Sequence, residues 1–170
     1  MRILFISDLH GIYNNLKILD EKQFDKLVIL GDLFSNRVNY QDDYELKQIL
    51  DKYREKIICL IGNCDSEVEL KALSIPVCDM ILISTDDLEI YCHHGYRYSY
   101  SKSQSFHKKG ILVYGHEHHP YIKQEGDMTY ICVGSISVPR YNSEPSFCFY
   151  ENREFIIYNV YGENITSIKL

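Results

Sequence analysis

The stretch Ile3–Gly11, with the sequence ILFISDLHG, indicates how this chain folds and where its chemistry lies. Its apolar run fits a short buried strand better than a helix, although periodicity alone does not separate the two over so few residues. The run ends abruptly in Asp8, His10 follows two positions later, and Gly11 closes the turn. A carboxylate and an imidazole therefore leave the strand end together. A single Asp-x-His is also ordinary turn chemistry, so the pattern matters only if the chain repeats it.

Apolar runs of strand length alternate with amphipathic segments in the first half of the sequence. Lys26–Leu30 (KLVIL) and Lys56–Ile61 (KIICLI) are predicted strands, and Asp42–Lys56 is the clearest predicted helix. This alternation is typical of parallel βαβ units, whereas the hairpin-like runs after Tyr121 predict antiparallel strands. We therefore expect an α/β fold with a mixed sheet. Shorter predicted elements are helices over Asn14–Gln23 and from the N-cap Ser66, a loop over Leu33–Gln41, strands over Met80–Ser84, Leu88–Cys92 and Gly110–Tyr114, a turn at Asp86-Asp87, and a hairpin of Phe147–Tyr150 with Phe155–Val160.

Length and composition favour one domain over residues 1–170, long enough to build a core. The formal net charge of -6 gives no basic footprint and argues against a nucleic-acid partner. We find no apolar membrane span and no signal peptide, and therefore expect a cytoplasmic protein without a membrane partner. The six cysteines form no C-x-x-C pair, and most lie in apolar runs, which predicts free thiols. The sequence as a whole is also compatible with a homo-oligomer.

Several of the apolar runs end in side chains that bind metals, and most of these endings adjoin a glycine. The carboxyl ends of strands in open α/β sheets meet at one edge, so these loops can converge. One such ending is commonly just a polar loop, but a set with the same chemistry favours a metal site. The predicted ligands are Asp8, His10, Asp32, Asn63, His94, His116 and His118.

This donor set also indicates a reaction. Imidazole, carboxylate and amide oxygen suit Mn, Fe, Zn or Ni. The groups are too many for one tetrahedral ion but suit two ions if one carboxylate bridges them. Two ions roughly 3.5–4 Å apart can hold a phosphoryl group and generate hydroxide for in-line attack. The residues by themselves therefore predict phosphoester hydrolysis.

The order of the motifs resembles the calcineurin-like metallophosphoesterase superfamily over nearly the whole chain. The segments Gly62–Val68, Leu112–His118 and Gly134–Arg140 are most similar to the small bacterial and archaeal phosphodiesterases of the YfcE type. No single motif is specific, whereas the ordered set is. The motifs are Asp8-x-His10, Gly31-Asp32, Gly62-Asn63-Cys64-Asp65, His94-Gly95 and Gly115-His116-Glu117-His118.

The resemblance implies a four-layer α/β/β/α sandwich with mixed sheets and a dinuclear metal centre. Matching motif positions imply that Asp32 bridges the ions, that Asp8, His10 and His118 hold one, and that Asn63, His94 and His116 hold the other. The superfamily's usual ions are Mn²⁺, Ni²⁺, Zn²⁺ or Fe, with Mn²⁺ expected here. A water or hydroxide bridging them is the expected nucleophile, and a small phosphodiester or nucleotide-like molecule is the expected substrate.

Two positions depart from the common superfamily pattern. Cys64 stands where many members have a histidine, as it does in the YfcE-type branch; it is the candidate catalytic residue, and it would bind substrate, donate a proton or merely fill space. Tyr96 stands where relatives often have a histidine after His94-Gly95. His93 and His119 adjoin predicted ligands, but neighbours of loop ligands often point elsewhere.

Weaker candidates have ordinary structural explanations as well. Asn36 and Arg37 could reach a phosphate or belong to a solvated loop. Lys102, Lys108 and Lys109 could steer an anion or form a solvated cluster. The stretch Tyr96–Tyr100 could stack an aromatic group, cover the core or meet another subunit. Gly134-Ser135 is expected to support the metal loops through its backbone geometry.

A phosphodiesterase is the first functional hypothesis, and the alternatives differ from it in distinct ways. A phosphomonoesterase would differ only in the electrostatics of the pocket. A non-catalytic interaction scaffold, like the retromer subunit of the same fold, would be free to lose histidines, whereas every expected ligand position is filled here. Nuclease relatives carry additional segments for which 170 residues leave little room.

Overall fold

The structure is a computed structural model in which residues 1–34, 40–85, 88–100 and 109–170 are described, the side chains of 40–43 excepted. Its helices are α1 (Ile18–Glu21), α2 (Tyr40–Asp51) and α3 (Glu67–Ala72), with 3₁₀ turns over Asn14–Lys17 and Arg54–Lys56. Its strands are β1 (Ile3–Ile6), β2 (Lys26–Ile29), β3 (Ile57–Leu60), β4 (Val77–Cys78), β5 (Met80–Thr85), β6 (Leu88–His93), β7 (Lys109–Tyr114), β8 (Pro120–Glu125), β9 (Asp127–Val133), β10 (Ser146–Glu151), β11 (Glu154–Asn159) and β12 (Asn164–Lys169).

The strands form two mixed sheets. In the seven-stranded sheet the order is β12-β11-β10-β1-β2-β3-β4, in which β1 to β4 are parallel, β10 pairs antiparallel with β1, and β10, β11 and β12 follow one another antiparallel. In the five-stranded sheet the order is β5-β6-β7-β9-β8, where β6, β7 and β9 are parallel and β5 and β8 are joined to them antiparallel. This confirms the predicted α/β fold with mixed sheets.

The core consists of layers on either side of the seven-stranded sheet. One face packs against the helices through residues such as Leu46 and Leu70. The other face packs against the five-stranded sheet through an apolar cluster that includes Phe5, Val113 and Phe155. The outer face of the five-stranded sheet carries a tyrosine-rich cluster around Tyr114. Among the described residues, every helix is too short or too polar to span a membrane.

The structure differs from the predicted elements mainly at helix ends and at edge strands. The helix predicted over Asp42–Lys56 ends at Asp51, because the chain tightens there into a 3₁₀ turn in which Lys56 N–H donates to the carbonyl of Tyr53. The N-cap prediction places Ser66 correctly, although its side chain makes no capping bond. Strands β4 and β12 were not predicted, since β4 is very short and β12 is a largely exposed edge. Residues 35–39 of the predicted loop and the Asp86-Asp87 turn lie outside the described residues.

Candidate metal centre

All the predicted ligands lie on loops that follow parallel strands. The seven-stranded sheet contributes the loops after β1, β2 and β3, and the five-stranded sheet those after β6 and β7. Contacts across the two sheets show that these loops meet: His94 Nδ1 lies 2.8 Å from the carbonyl oxygen of Leu30, and His116 N–H donates to Asp8 Oδ2 over 2.8 Å. In chain order the loops carry Asp8 and His10, Asp32, Asn63, His94, and His116 with His118.

Asp8 lies at the centre of a first cluster. Its Oδ1 atom lies 3.1 Å from Nε2 of His118, 3.8 Å from Nε2 of His10 and 4.0 Å from Nε2 of His94. His118 donates its Nδ1–H to the carbonyl of Val138 over 2.5 Å, so its Nε2 presents a lone pair to the carboxylate. Asp8 Oδ1 is buried and has no hydrogen-bond partner among the described residues. Such an oxygen is costly to bury unless a cation compensates it, so the cluster fits a metal ion.

Asp32 lies at the centre of a second cluster. Its Oδ2 atom is 3.3 Å from Nε2 of His94 and 3.7 Å from Nε2 of His10. Nε2 of His94 also lies 3.1 Å from Oδ1 of Asn63, while Nδ1 of the same ring faces the carbonyl of Leu30. A histidine held through Nδ1 in this way directs Nε2 toward a metal. The ring of His116 stands edge-on to that of His94, with centroids 5.1 Å apart.

The two clusters overlap. The ligand atoms of Asp8, His10 and His118 lie within 4.8 Å of one another, as do those of Asp8, Asp32 and His94. A third group with the same spacing consists of His10, Asp32 and Cys64. Nε2 of His10 and Nε2 of His118 approach to 3.3 Å. Two nitrogen lone pairs this close repel each other unless a cation or a shared proton lies between them. The overlap of the three groups suits more than one ion.

The protonation states also favour cation binding. Burial by itself would raise the pKa of Asp32, but His94 and the backbone N–H of Cys64, 2.8 Å from Asp32 Oδ1, together hold that pKa far below its usual value. Burial lowers the pKa of His10, against the opposing effect of Asp32 and Asp8. Asp32 is therefore charged and His10 neutral at neutral pH, as metal ligands must be. At His94 the effect of burial is outweighed by Asp32 and Asp8, which raise its pKa, so a cation there would have to displace a proton.

The loops reach this geometry through left-handed backbone. Several ligand residues have positive φ, a region that side chains other than glycine rarely adopt. This conformation turns the chain sharply and lets neighbouring ligands face one point, and it is common at functional sites. The residues with their φ values are Asp8 at 55°, His10 at 49°, Asp32 at 52°, His116 at 65° and His118 at 57°.

Two residues without a predicted ligand role hold the loops in place. The carboxylate of Asp65 accepts backbone N–H bonds from Gly62, Asp32 and Leu33, each over 2.8 Å, and so ties the loop after β3 to the loop after β2. Ser135 Oγ donates to the carbonyl of Asp8 over 2.7 Å, so the Ser135 hydroxyl supports this loop, whereas the sequence had suggested support through the backbone of Gly134-Ser135. The role of Asp65 was missed, although the residue belongs to a quoted motif.

Comparison with known proteins identifies the family. The model of the calcineurin-like phosphoesterase superfamily domain matches residues 1–154 of the chain. The chain belongs to this superfamily. The match confirms the resemblance found in the sequence and the predicted enzyme class, a phosphoesterase. Divalent metals are implied by membership of the family, and the clusters around Asp8 and Asp32 can accommodate them.

Individual relatives share both sequence and fold with this superfamily member. Phosphodiesterase YfcE of Escherichia coli K12 is 28% identical over 164 residues, covering 89% of this chain and 88% of the relative. The structure of the Escherichia coli phosphoesterase YfcE superposes with a TM-score of 0.89 at 24% identity, covering 99% and 98% of the two chains. Vps29 of Chaetomium thermophilum superposes with a TM-score of 0.64 at 17% identity, covering 100% and 97%. The two structures confirm the fold.

The departures from the superfamily pattern lie beside the metal clusters. The ring of Tyr96 lies 6.0 Å from that of His94 and 6.4 Å from that of His116, measured between centroids. The guanidinium of Arg97 lies over the Tyr96 ring, 4.9 Å from its centroid. Cys64 lies in the third ligand group. Both residues therefore lie next to predicted metal ligands.

The other candidates are placed elsewhere or lie outside the description. His93 is buried and packs against Tyr98 and Tyr114, with ring centroids 5.3 and 6.2 Å away, and belongs to none of the described ligand groups. His119 contacts Tyr121 and Tyr141. Lys109 is exposed at the start of β7. Asn36, Arg37, Lys102 and Lys108 lie outside the described residues.

Proposed function

We propose that this protein is a dinuclear-metal-dependent phosphodiesterase that hydrolyses a small phosphodiester or nucleotide-like substrate. The observation that carries the proposal is the pair of overlapping carboxylate–imidazole clusters centred on Asp8 and Asp32. The similarity to phosphodiesterase YfcE supports the choice of a diester as substrate. The formal charge of -6 gives no reason to expect a long nucleic acid in its place.

The proposed ligand sets follow the clusters. Asp8, His10 and His118 hold one ion, and the mutual approach of their ligand atoms supports this assignment. Asn63, His94 and His116 hold the other ion, supported by the contacts around His94. Asp32 would be shared by the two ions as their bridging ligand, since its Oδ2 lies 3.7 Å from Nε2 of His10 and 3.3 Å from Nε2 of His94. The ions are divalent, with Mn²⁺, Ni²⁺, Zn²⁺ and Fe²⁺ compatible with the nitrogen and oxygen donors.

The protein side chains prepare the site for an anionic phosphodiester. When bound, two divalent ions would polarise the phosphoryl oxygens and lower the pKa of a water molecule. Asp8 and Asp32 supply the negative charge that retains cations, and His94 and His118 are held in the metal-binding orientation through Leu30 and Val138. Tyr96 and Cys64 border the substrate space and are candidates for contacts with the ester groups.

Metal-dependent hydrolysis of aryl phosphates tests this proposal. Protein stripped with a chelator is refilled with Mn²⁺, Ni²⁺, Zn²⁺ or Mg²⁺, its metal content is measured, and bis(p-nitrophenyl) phosphate is compared with p-nitrophenyl phosphate. We expect turnover only after refilling, with the diester preferred. Asp32→Ala should lose at least one ion and nearly all turnover. Asp51→Ala, which removes a carboxylate exposed on α2, serves as the matched control and should behave like the wild type.

The other outcomes separate the alternative functions. Preference for the monoester would replace the diesterase by a phosphomonoesterase. Wild-type turnover in folded Asp32→Ala would refute its bridging role. Failure of the wild type to bind stoichiometric metal or to turn over either compound would favour an interaction scaffold of the same fold.

A further inference from the structure

Cys64 differs from most other cysteines of the chain because it lies at the metal centre. Cys59, Cys92, Cys132 and Cys148 are fully buried in the core, whereas Cys64 is half-buried in the loop after β3. Its backbone N–H donates to Oδ1 of Asp32 over 2.8 Å. This bond fixes the residue beside the carboxylate that is proposed to bridge the ions.

The sulfur of Cys64 lies within range of two other donor atoms. Its Sγ, a ring nitrogen of His10 and a carboxylate oxygen of Asp32 all lie within 4.8 Å of one another. A metal binds sulfur at about 2.3 Å and nitrogen or oxygen at about 2.0–2.2 Å, so donor atoms on one ion lie within roughly 4.5 Å of each other. A small side-chain rotation is enough to bring these three atoms onto one ion. Oδ1 of Asp8, buried and without a hydrogen-bond partner among the described residues, lies 3.8 Å from Nε2 of the same His10, so the neighbouring ligand group that shares His10 also fits a cation.

Asn63 orients the sulfur. Its Nδ2–H donates to Sγ of Cys64 over 3.2 Å, while its Oδ1 lies 3.1 Å from Nε2 of His94. A hydrogen bond of this kind orients a ligand and stabilises its electron-rich form. The amide of Asn63 thus contacts both ligand groups, because its oxygen lies next to His94 and its N–H donates to the sulfur of Cys64.

We propose that Cys64 is itself a metal ligand, whose thiolate joins His10 and Asp32 around one ion. When the sulfur–metal bond forms, the thiol proton is released to solvent, so charge and atoms balance. Thiolate is a soft donor and selects Zn²⁺ or Co²⁺ over the harder Mn²⁺. The inference rests on the proposed metal centre and extends it, because the ion held by His10 and Asp32 would then be one that binds sulfur well.

Absorption spectroscopy of the cobalt-loaded protein tests the proposal. Sulfur bonded to Co²⁺ gives a charge-transfer band in the near ultraviolet that nitrogen and oxygen ligands do not give. We expect this band in wild-type protein refilled with Co²⁺, and its loss in Cys64→Ser with the amount of bound Co²⁺ unchanged. Cys78→Ser removes the other half-buried thiol, on β4, and should keep the band. Competition between ions gives a second measurement, in which Cys64→Ser weakens Zn²⁺ binding on the order of 10–100-fold with little change for Mn²⁺.

The outcomes distinguish this inference from the proposed function. Stoichiometric Co²⁺ without the charge-transfer band overturns the role of Cys64 and leaves the metal centre intact. A band that persists in Cys64→Ser also overturns it. Failure of the wild type to bind Co²⁺ or Zn²⁺ at all overturns both the inference and the metal centre on which it rests.

Discussion

At the scale of single residues, Asp65 shows how one carboxylate can set the geometry of a candidate metal site although it belongs to none of the described ligand groups. It accepts N–H bonds from Gly62, Asp32 and Leu33. In Asp65→Asn one oxygen becomes an NH₂ group, which cannot accept, so at least one backbone donor loses its partner at a cost of about 1–3 kcal/mol. We expect the free energy of unfolding in urea to fall by that amount and metal affinity to fall with it.

A surface aspartate provides the matched control for this substitution. Asp51→Asn removes an exposed charge whose partner is Arg54, and exposed ion pairs contribute about 0–1 kcal/mol. Its unfolding free energy and metal affinity should stay close to those of the wild type. If Asp65→Asn bound metal and unfolded like the wild type, the carboxylate would not be what holds the two loops together.

The identities of individual site residues were more predictable than their partners. Asp8, His10 and the other expected ligands follow apolar runs, a pattern visible in the sequence. The structure places them close together, and their role as metal ligands stays a prediction. Asp65 was not assigned a role, because its bonds join backbone groups about thirty positions away in the chain. No local pattern in the sequence contains such a contact. A role that depends on side-chain chemistry can therefore be predicted from the sequence more readily than a role that depends on which backbone groups lie nearby in the fold.

At the scale of elements, the close approach of loops depends on glycine. A Cβ atom at Gly62 would lie 2.0 Å from Oδ1 and 2.3 Å from the backbone nitrogen of Asp32. Gly62→Ala must therefore move Asp32 or its loop, and we expect loss of bound metal and of hydrolysis in a protein that is also less stable to heat. Metal analysis together with thermal unfolding measures both effects.

A glycine in an open turn separates this effect from general backbone strain. Gly126, between β8 and β9, has a φ of +57° and would place a Cβ with nothing within 4 Å. Gly126→Ala should cost only about 1–2 kcal/mol of left-handed strain and leave metal content unchanged. Equal metal loss in both variants, or full occupancy in Gly62→Ala, would contradict the crowding argument.

The predicted elements agree with the structure where burial dominates. Strands β1, β2 and β3 are nearly continuous apolar runs since both faces of the sheet are covered. Strand β12 pairs with β11 at an exposed edge, and its residues therefore carry no strong apolar pattern. The left-handed conformations at Asp8 and His118 were not predicted, because the weak preference of Asp and His for this region does not single out particular positions in a sequence.

At the scale of the whole molecule, the two sheets share one apolar cluster. Phe155 on β11 is fully buried in it, with its ring centroid 4.7 Å from that of Tyr150 and 6.3 Å from that of Phe5. The same cluster contains Ile90 and Val113 of the five-stranded sheet. We infer that the sheets unfold together, as expected if residues 1–170 form one domain.

Truncation of Phe155 tests this shared core. Phe155→Ala should lower the free energy of unfolding by about 3–5 kcal/mol, in a single transition, because neither sheet keeps a covered inner face once the other has separated. The chain has no Trp and 15 Tyr, so tyrosine fluorescence and far-UV circular dichroism can follow unfolding in urea independently. Tyr161→Ala, at a side chain that is 74% exposed, should change stability by no more than about 0.5 kcal/mol. Coincident transitions by both methods would support one cooperative unit. Two separate transitions would mean that each sheet is stabilised on its own. The metal loops from the two sheets would then meet only when both sheets are folded and packed together.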